Sequence, residues 1–561
     1  SAATETTAPT HALLQIVQRD PNKAPAGLRD KVADLAESYH FKHWHLAFPH
    51  VFAEGRGGFD VILGNPPWEH VELKEEEFFA ARAPDIASAR NAAERKKAIA
   101  ALKTSSPALF EEFQAAQRLA DCEMHTIRAS GHFPLCARGR INTYAIFAEL
   151  NRQLINDHGR VGCILPSGIA TDDTTSHFFR SLVRTRSLVS FYSFWEIRRF
   201  FRDTDSRQPF ALLVMTGNRN GPPQATLAFD LRTVTQATTG ESHFQLAAED
   251  CDLLNPNPGT CPIFRLPRDA ELTKAIHRRV PVLSREARND VPEINPWGMS
   301  FRQGIFNMAS DSGLFRTREQ LEEDGWRLVS TTFSRGEQSV PLYEAKMIHH
   351  FDHRFGTYEG QTEANAAQGK LPETTPEQHN DPNHWTLPRY WVTKAEVDER
   401  LADRWRHGWL LGWRDICRNS DARTVIASIL PRFAVGHTTP LAFVGADPGS
   451  AALISANLSS FVLDYVARQK VGGTHLTFGL LNQLPLLSPE TYIARCPWSP
   501  TETLAEWLHP RVLELTYTAW DIKAFADDLW READDSLKAA LQQQHDANKQ
   551  ATGGHEWAPP D

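Results

Sequence analysis

The stretch FDVILGNPPWE, residues 59–69, contains a short apolar run that ends abruptly in Gly-Asn-Pro-Pro. A run of this length and composition predicts a buried β-strand, and the strand stops because proline has no backbone N–H for a sheet ladder. Pro66 and Pro67 also restrict the backbone as it leaves the strand. The stretch therefore predicts a buried strand that is followed by a rigid turn.

The segments around this strand alternate between apolar runs and helical spacing. VGCILP (161–166), SLVSFYSF (187–194) and FALLVMTG (210–217) are apolar enough to be buried strands. TYAIFAELNRQLI (143–155) has its apolar residues on one side of a helix, and TSHFFRSLVRT (175–185) predicts another helix. This alternation predicts a doubly wound parallel α/β sheet with helices on both faces.

Composition divides the chain into four parts. Residues 1–40 predict a linker or a truncated element, and residues 41–222 hold the α/β sheet with a helical insertion at 70–140. After about residue 222 the segments become shorter and richer in Pro, Gly and aromatic residues, which predicts a mixed α/β region at 223–490. Residues 491–561 predict a C-terminal helical segment.

The overall composition argues against a disordered, fibrous or membrane-spanning chain. The 561 residues are 41% hydrophobic and 23% charged, and no apolar run approaches the roughly twenty residues that a membrane helix needs. Seven cysteines without a CxxC pair, and a start without a signal peptide, indicate a reducing, cytoplasmic setting. The formal net charge of -9 does not argue against a local basic groove. The polar, Pro-rich residues 359–386 predict a long surface loop.

The turn at residues 65–68 also suggests a chemistry, because ligands of doubly wound sheets bind at the carboxyl ends of the strands. The Asn65 side-chain oxygen and the Pro66 carbonyl can converge as two acceptors on one exocyclic amino group. The Trp68 indole can then lie flat against the ring that bears this group, which fits an amino-purine taken out of its stack. The alternative is a plain strand-ending turn with Trp68 in the core.

Two further stretches are candidates for nucleic-acid contact. One mixes aromatic residues with arginines, as phosphate contact and base stacking require, and its main candidates are Arg198, Arg199, Arg202 and Arg207. Arginines lying over a core explain this stretch equally well. The other surrounds two glycines that allow a close backbone approach to a phosphate, and its candidates are Lys470, Thr474 and His475. A helix end followed by a turn is an equal interpretation.

The histidines at positions 349, 350 and 353 form a cluster that suggests a metal. A single acid, Asp352, lies among them, and the sequence offers no second group of ligands. We therefore expect no metal site.

Longer segments resemble the gamma-class adenine-N6 DNA methyltransferases, especially the large single-chain enzymes of type IIG restriction–modification and related phage-defence systems. Residues 41–69 resemble the family's catalytic motif, which falls on Asn65-Pro66-Pro67-Trp68, and the approach to it. Residues 141–168 resemble the next helix and strand, with Tyr144 and Phe147 in aromatic positions of the motif. Residues 199–217 resemble the last strand pair. The family's recognition region resembles residues 465–485 and 512–521.

The resemblance implies that residues 41–222 are the catalytic half of a methyltransferase domain and that residues 223–490 form a DNA target-recognition region. It implies S-adenosylmethionine as the cofactor and double-stranded DNA as the partner. The implied activity is site-specific adenine-N6 methylation of a flipped base, in restriction–modification or phage defence. Asn65, Pro66, Pro67 and Trp68 are the implied catalytic residues.

The family's Gly-rich S-adenosylmethionine motif should precede Asn65, and residues 1–58 contain no such turn after a strand. Asn65, Tyr144 and Phe147 are the remaining candidates for cofactor contact. Both ends of the chain look truncated, so we expect the cofactor-binding half upstream in the same protein or on a partner subunit.

Two alternatives stay open at this point. The chain can be a DNA-recognition module or partial subunit without independent catalysis, because the cofactor motif is missing. It can also be an amino-methyltransferase for RNA or protein glutamine, because Asn-Pro-Pro-aromatic serves any planar amide or amine. The long region after residue 222 favours DNA, since a protein-modifying enzyme does not need it to read base edges.

Overall fold

The computed structural model describes residues 10–53, 55, 57–196, 200–201, 209–217, 221–288, 291–445 and 447–549. Within them, the buried apolar residues form two large cores that follow one another along the chain. The first core extends from Val71 to Ala270. The second extends from Leu283 to Leu541. We call the corresponding parts of the chain the first region and the second region.

The first region is built on a six-stranded sheet with the strand order β1-β2-β4-β3-β5-β6. Its strands are Phe59–Gly64 (β1), Ile155–Pro166 (β2), Leu188–Phe194 (β3), Phe210–Thr216 (β4), Ala225–Leu231 (β5) and Phe244–Leu246 (β6). β1 is parallel to β2, and β3 is parallel to β5. β4 lies between β2 and β3 and is antiparallel to both, and β6 is antiparallel to β5.

The sheet is therefore mixed, which corrects the prediction of a wholly parallel one. The apolar run of β4 correctly indicates a strand inside the sheet, with Leu213 and Met215 buried. Burial carries no information about strand direction, however, because a central antiparallel strand covered on both faces has the same composition as a parallel one. The prediction of strand positions holds, and the prediction of their direction fails at β4.

The helices of the first region form three groups. The group before β1 buries none of its residues and consists of His11–Arg19, Ala26–Tyr39 and Trp44–Ala47. The insertion after β1 shares a small core around Phe79 and Phe113 and consists of Glu75–Ala80, Pro84–Ala87, Ala92–Ser105 and Pro107–Ala129. The helices among and after the remaining strands are Thr143–Leu154, Gly168–Thr171, Ser176–Arg184, Val234–Thr239, Ala248–Leu254 and Pro267–Arg279.

β1 lies at one edge of the sheet, and one of its faces is open. Val61 and Leu63 are 60% and 80% exposed and point to the same face, because alternate residues of a strand do so. Ile62 points to the other face and packs against the first core. The prediction of a strand buried on both faces is therefore wrong for β1.

The first sheet continues past the boundary that composition places at residue 222. β5 and β6 both follow that position, and Phe264 and Ala270 still belong to the first core. The residues Gly221-Pro222-Pro223 connect β4 to β5 and do not end a domain. The change from the first core to the second falls between Ala270 and Leu283.

The second region contains two larger sheets and a two-stranded ribbon. One of these two sheets has the order β11-β10-β9-β8, with β14 paired to β10. The other has the order β13-β12-β15-β7. Their strands are Ser300–Arg302 (β7), Arg327–Val329 (β8), Thr332–Ser334 (β9), Gln338–Tyr343 (β10), Trp391–Thr393 (β11), Trp409–Trp413 (β12), Ala427–Pro431 (β13), Ala434–Val435 (β14) and Leu441–Phe443 (β15). The ribbon pairs Arg495–Cys496 (β16) with Ser499–Thr503 (β17).

Helices surround these sheets and complete the second core. They are Arg318–Glu323, Glu363–Ala367, Pro376–His379, Lys394–Leu401, Pro448–Leu458, Phe461–Lys470, Phe478–Leu481, Pro489–Ile493, Leu504–Thr516, Lys523–Glu532 and Asp535–Asn548. The last three contribute Val512, Phe525 and Leu541 to the second core, so they belong to the second region and are not a separate segment. All seven cysteines are free.

Residues 359–386, predicted as a long surface loop, are anchored by the side chain of Arg354, which lies in the interior of the second region. This arginine is fully buried. Its guanidinium donates to the carbonyl oxygens of His379, Asp381, His384 and Thr518 at 2.9 to 3.0 Å. The segment therefore has a fixed base, and two short helices, Glu363–Ala367 and Pro376–His379, give it local structure.

No single helix in the described part of the chain has the length and apolar composition needed to cross a membrane. Two consecutive helices, Pro448–Leu458 and Phe461–Lys470, meet that requirement only when taken together, and they are bent by 66°.

Candidate active site

The turn after β1 places Asn65 at the carboxyl edge of the first sheet. Gly64 is aligned with Cys163 of β2, so the two parallel strands run to this edge side by side. Asn65 and Pro67 are exposed, and Pro66 and Trp68 are half-buried. The Asn65 amide is thus presented to solvent from a backbone that two proline rings restrict.

Thr143 holds this turn in place from the next helix. Its hydroxyl donates to the Pro67 carbonyl oxygen at 2.7 Å and accepts from the Glu69 backbone N–H at 3.1 Å. Its own backbone N–H donates to the Glu69 carbonyl oxygen at 2.9 Å. One residue therefore fixes the chain on both sides of Trp68. Sequence reasoning missed Thr143, although a hydroxyl at the first position of the predicted helix was a usable signal.

The start of helix Thr143–Leu154 brings its two aromatic candidates to this edge. The Asn142 side chain caps the helix by accepting from the Tyr144 N–H at 3.2 Å. Tyr144 is buried, and burial, followed by the nearby Asp172 carboxylate, raises the pKa of its hydroxyl. Phe147 is 39% exposed. Of the two, only Phe147 presents a substantial surface to a ligand.

Glu149 fixes the loop that leads into this helix. Its buried carboxylate accepts from the backbone N–H groups of Leu135 at 3.1 Å and Cys136 at 2.8 Å. Burial raises the pKa of this carboxyl, and the two backbone donors act in the opposite direction. Sequence reasoning also missed Glu149. Its signal was an acid at a helix position whose spacing from Tyr144 and Ala145 places it on the buried side.

Trp68 forms part of an aromatic wall beside Asn65. Its half-buried indole packs against both the first core and a smaller cluster that includes Phe194 and Phe210. These two rings are stacked with centroids 5.2 Å apart. Phe200 lies edge-on to both of them at 5.8 and 5.6 Å and is 37% exposed. Aromatic surface is therefore available next to the exposed amide.

The candidates for DNA contact have different outcomes. Arg198, Arg199, Arg202 and Arg207 lie outside the described residues. Lys470 is buried, and its ammonium donates to the carbonyl oxygens of Leu254 and Gln483. Burial lowers its pKa well below the usual value. Lys470 therefore joins the two regions from inside, which corrects the expectation that it faces a phosphate.

Thr474 and His475 remain at the surface. His475 is 54% exposed, and its Nδ1 lies 2.7 Å from an Asp415 carboxylate oxygen. The Thr474 carbonyl accepts from the Cys417 N–H at 3.1 Å, which fixes the turn against a neighbouring loop. Their contact with DNA stays a prediction.

The described residues do not provide a complete site for S-adenosylmethionine. No strand precedes β1 in residues 10–53, 55 and 57–58, so they contain no strand–glycine turn–helix unit. Asn65 and Phe147 are exposed enough to contact such a cofactor, and Tyr144 is not. The described residues therefore supply only one side of such a site.

The histidine cluster has protein partners. His353 Nε2 lies 2.7 Å from an Asp521 carboxylate oxygen, and His350 Nδ1 lies 3.2 Å from the Ser459 hydroxyl. No group of three or more His, Cys, Asp or Glu side chains in the described part of the chain is arranged to hold a metal ion.

Comparison with known families gives a match at the β1 end of the chain. Residues 10–103 match the family described as Eco57I restriction-modification methylase, and this stretch includes Asn65 to Trp68. The resemblance to restriction–modification methylases is thereby confirmed for this part of the chain. No curated protein matches the sequence.

Several solved structures are similar to the chain at low identity. The type IIL restriction–modification enzyme MmeI in complex with DNA is 11% identical, with a TM-score of 0.31, and the match covers 76% of this chain and 54% of that one. The type IIG restriction endonuclease BpuSI is 12% identical, with a TM-score of 0.25 and coverages of 89% and 55%. A type I methyltransferase subunit from Streptococcus thermophilus is 13% identical, with a TM-score of 0.20 and coverages of 35% and 36%.

The chain spans about half of the length of MmeI and BpuSI, and about a third of the type I subunit. Identities and TM-scores of this size assign no role to any residue.

Proposed function

We propose that this chain carries the target-base side of a site-specific DNA adenine-N6 methyltransferase of a restriction–modification or phage-defence system. The observation that carries the proposal is the exposed Asn65 amide on a doubly proline-restricted turn that Thr143 clamps on both sides of Trp68. A rigid acceptor at the carboxyl edge of a sheet suits the orientation of a reacting group. The family match over residues 10–103 supports the same class of activity.

Asn65 and Pro66 act on the amino group that is to be methylated. The lone pair of adenine N6 is delocalised into the ring, which makes the nitrogen a poor nucleophile. Asn65 Oδ1 and the Pro66 carbonyl oxygen accept its two hydrogens and favour a pyramidal nitrogen as transfer proceeds. Because these contacts strengthen as the nitrogen becomes pyramidal, they stabilise the transition state more than the ground state.

Trp68 supports the extruded base. A base reaches this edge only after it has left the double helix, and the stacking that it had there must be replaced. Trp68 supplies an aromatic face, and the partly exposed Phe200 lies against the same cluster of rings. The second region, with Thr474 and His475 at its surface, reads the DNA sequence in this proposal.

S-adenosylmethionine is the methyl donor that this activity requires, and when bound it supplies an electrophilic methyl group. The remainder of its site is contributed by residues beyond those described, on the same protein or on a partner subunit. Phe147, exposed at the first turns of helix Thr143–Leu154, is the residue of this chain best placed to contact it.

One observation favours a second candidate, a DNA-recognition module without independent catalysis. The open face of β1 and the lack of a strand–turn–helix unit among the described residues before it mean that these residues cannot complete the reaction alone. In that case the Asn65 turn holds an extruded base and a partner performs the transfer.

The test is product analysis with the full-length protein and S-adenosylmethionine, in separate reactions with duplex DNA, RNA and a glutamine-containing protein. We expect N6-methyladenine at a single sequence motif, read by long-read sequencing and confirmed in hydrolysed nucleosides. Duplex binding without any methylated product supports the recognition module. Methyl groups found on RNA or on protein glutamine, and not on DNA, contradict both candidates.

A further inference from the structure

Four arginines and one histidine from three segments lie at the junction of the two regions: the charges of Arg138, Arg180 and Arg288 act on His177, and Arg285 lies on the same β-arm as Arg288. We call them the junction cluster: Arg138, His177, Arg180, Arg285 and Arg288. Arg138 belongs to the loop before helix Thr143–Leu154, and His177 and Arg180 belong to the first turns of helix Ser176–Arg184. Arg285 and Arg288 follow the last helix of the first region.

Arg285 and Arg288 lie on a small β-arm. The backbones of Arg285 and Ile294 exchange two hydrogen bonds of 2.8 Å, and those of Arg288 and Val291 exchange two of 2.9 and 3.0 Å. These pairs define an antiparallel arm whose described residues are 285–288 and 291–294. An arm of this kind holds its arginines at fixed spacing on the surface.

Asn257 attaches the base of the arm to the first region. Its side chain donates to the Ser284 carbonyl and accepts from the Glu286 N–H, each at 3.0 Å. Its own carbonyl oxygen accepts from the Arg180 guanidinium. The arm and the helix that carries Arg180 are therefore held in one arrangement.

The cluster carries more positive charge than its surroundings neutralise. Among the described residues, Arg138, Arg180, Arg285 and Arg288 have no carboxylate within ion-pair distance, whereas the neighbouring Arg184 pairs with Asp252 at 2.8 Å. Buried guanidinium nitrogens of three of these arginines have no hydrogen-bond partner, namely Arg180 Nε, Arg285 Nε and Arg288 Nη1. Unsatisfied buried donors are unfavourable, so their presence calls for an acceptor.

The charges also oppose one another. Burial first, and then the charges of Arg138, Arg180 and Arg288, lower the pKa of His177, while Asp173 opposes them. The pKa of Arg180 falls to about 10 through burial and then through Arg288 and Arg184, against Asp252. Asp173 and Asp252 offset part of this repulsion, and an anion bound between the arginines would offset more of it.

We propose that the junction cluster binds the phosphodiester backbone of the duplex that presents its base to Asn65. This inference rests on the proposed function. β2 is parallel to β1 and ends at Pro166, and the Thr175 hydroxyl donates to the Gly168 carbonyl oxygen at 2.9 Å, so helix Ser176–Arg184 begins at the sheet edge that carries Asn65. Arginine forks suit phosphate oxygens, and contacts near the target base position the duplex without reading its sequence.

The test is the salt dependence of duplex binding by the full-length protein, measured by fluorescence anisotropy without a methyl donor. The variants are Arg138→Gln, Arg288→Gln and the pair together. Arg138 is an exposed loop residue whose replacement should not impair folding, so it remains informative if Arg288→Gln proves unstable. The control is Arg318→Gln, which removes an equal charge from an exposed ion pair with Glu322.

Removing one arginine–phosphate interaction should reduce the slope of log K against log salt by about 0.9, and removing both by about twice that, on every duplex alike. Arg318→Gln should leave the slope unchanged. Unchanged slopes for both single variants, or an effect restricted to one DNA sequence, would overturn the proposal. Methyl transfer is assayed separately. Normal N6-methyladenine formation with unchanged slopes would exclude phosphate binding by the junction cluster and leave the proposed methyl transfer standing. Reduced slopes in a protein that makes no N6-methyladenine would exclude the proposed methyl transfer and leave phosphate binding by the junction cluster standing.

Discussion

The strands β12 and β13 of the second region are fully buried, whereas the edge strand β1 of the first region has an open face. In the second region Trp409 and Trp413 are fully buried, and Arg354 satisfies four carbonyl oxygens from inside. In the first region the face of β1 that carries Val61 and Leu63 is exposed next to Asn65. The buried anchor Arg354 and the exposed Asn65 turn thus lie in different regions of the chain, so the rigid support is separate from the proposed site.

The largest effect on stability should come from Arg354→Ala in the second region. The substitution leaves four carbonyl oxygens without their donor and detaches the base of residues 359–386. We expect a decrease of about 3 kcal/mol or more in the free energy of unfolding, measured by urea denaturation. Arg404→Ala, at an exposed position of the same region, is the control and should change it by less than about 0.5 kcal/mol. Equal effects of the two substitutions would contradict the anchoring role.

Trp68→Ala tests the aromatic wall at the open edge. Loss of base stacking should cost about 1–3 kcal/mol, which corresponds to a roughly ten- to a hundredfold slower methyl transfer, and Trp68→Phe should be tolerated. A 2-aminopurine at the target position reports the same contact, because the indole quenches its fluorescence after flipping. If 2-aminopurine fluoresces identically with Trp68→Ala and with the wild type, the stacking role is wrong.

His277→Leu tests whether the junction between the two regions makes the free energy of unfolding depend on pH. His277 is buried on helix Pro267–Arg279, and burial, followed by the charge of Lys470, lowers its pKa to about 2. The unfolded chain therefore binds a proton below about pH 6.5 that the folded chain does not, so stability is full above this pH and falls below it. From pH 7.5 to 5.5 the wild type should lose about 1.4 kcal/mol more than His277→Leu. The exposed His43→Leu is the control, and equal losses in all three proteins would exclude this role.

The smallest effect should come from Leu63→Ser on the open face of β1. Leu63 is 80% exposed, so we expect less than about 0.5 kcal/mol of change in the free energy of unfolding. Leu165→Ser, at a fully buried position of the neighbouring β2, should cost several times more. A large decrease with Leu63→Ser would mean that the face is covered in the protein in solution, and the contrast between the regions would have to be revised.

The sequence predicts those features that depend on burial and on local chain geometry. The strand at 210–216 and the helix at 143–154 follow from apolar patterning, and the turn at Pro66 and Pro67 follows from proline stereochemistry. Strand direction at β4 could not be predicted, because an apolar run reports only that both faces are covered. The boundary at residue 222 failed because the shorter segments that follow it still include β5 and β6 of the same sheet, so the change in composition does not mark the end of the sheet.

The candidate site residues also differ in how far their surroundings could be predicted from local sequence. The position of Asn65 in a turn directly after a strand could be predicted from sequence, because its neighbours fix the local backbone. Lys470 was misjudged because a lysine is ordinarily exposed, and only the packing of the two regions buries its ammonium against Leu254 and Gln483. Helix patterning indicates a hydroxyl at Thr143 and an acid on the buried side at Glu149, but it does not identify their hydrogen-bond partners Pro67 and Cys136, which lie on other segments of the chain.

The central claim is that Asn65 acts on the reacting amino group, and single-turnover methyl transfer by Asn65→Ala tests it most directly. The full-length variant is compared with the wild type and with Asn22→Ala, an exposed asparagine away from the turn. We expect Asn65→Ala to slow transfer by a hundredfold or more, on the order of the effect of removing one oriented polar group from an active site. Duplex affinity should stay nearly intact, because phosphate contacts dominate it. Transfer above a tenth of the wild-type rate, or slower transfer matched by an equal decrease in DNA binding, would contradict the account.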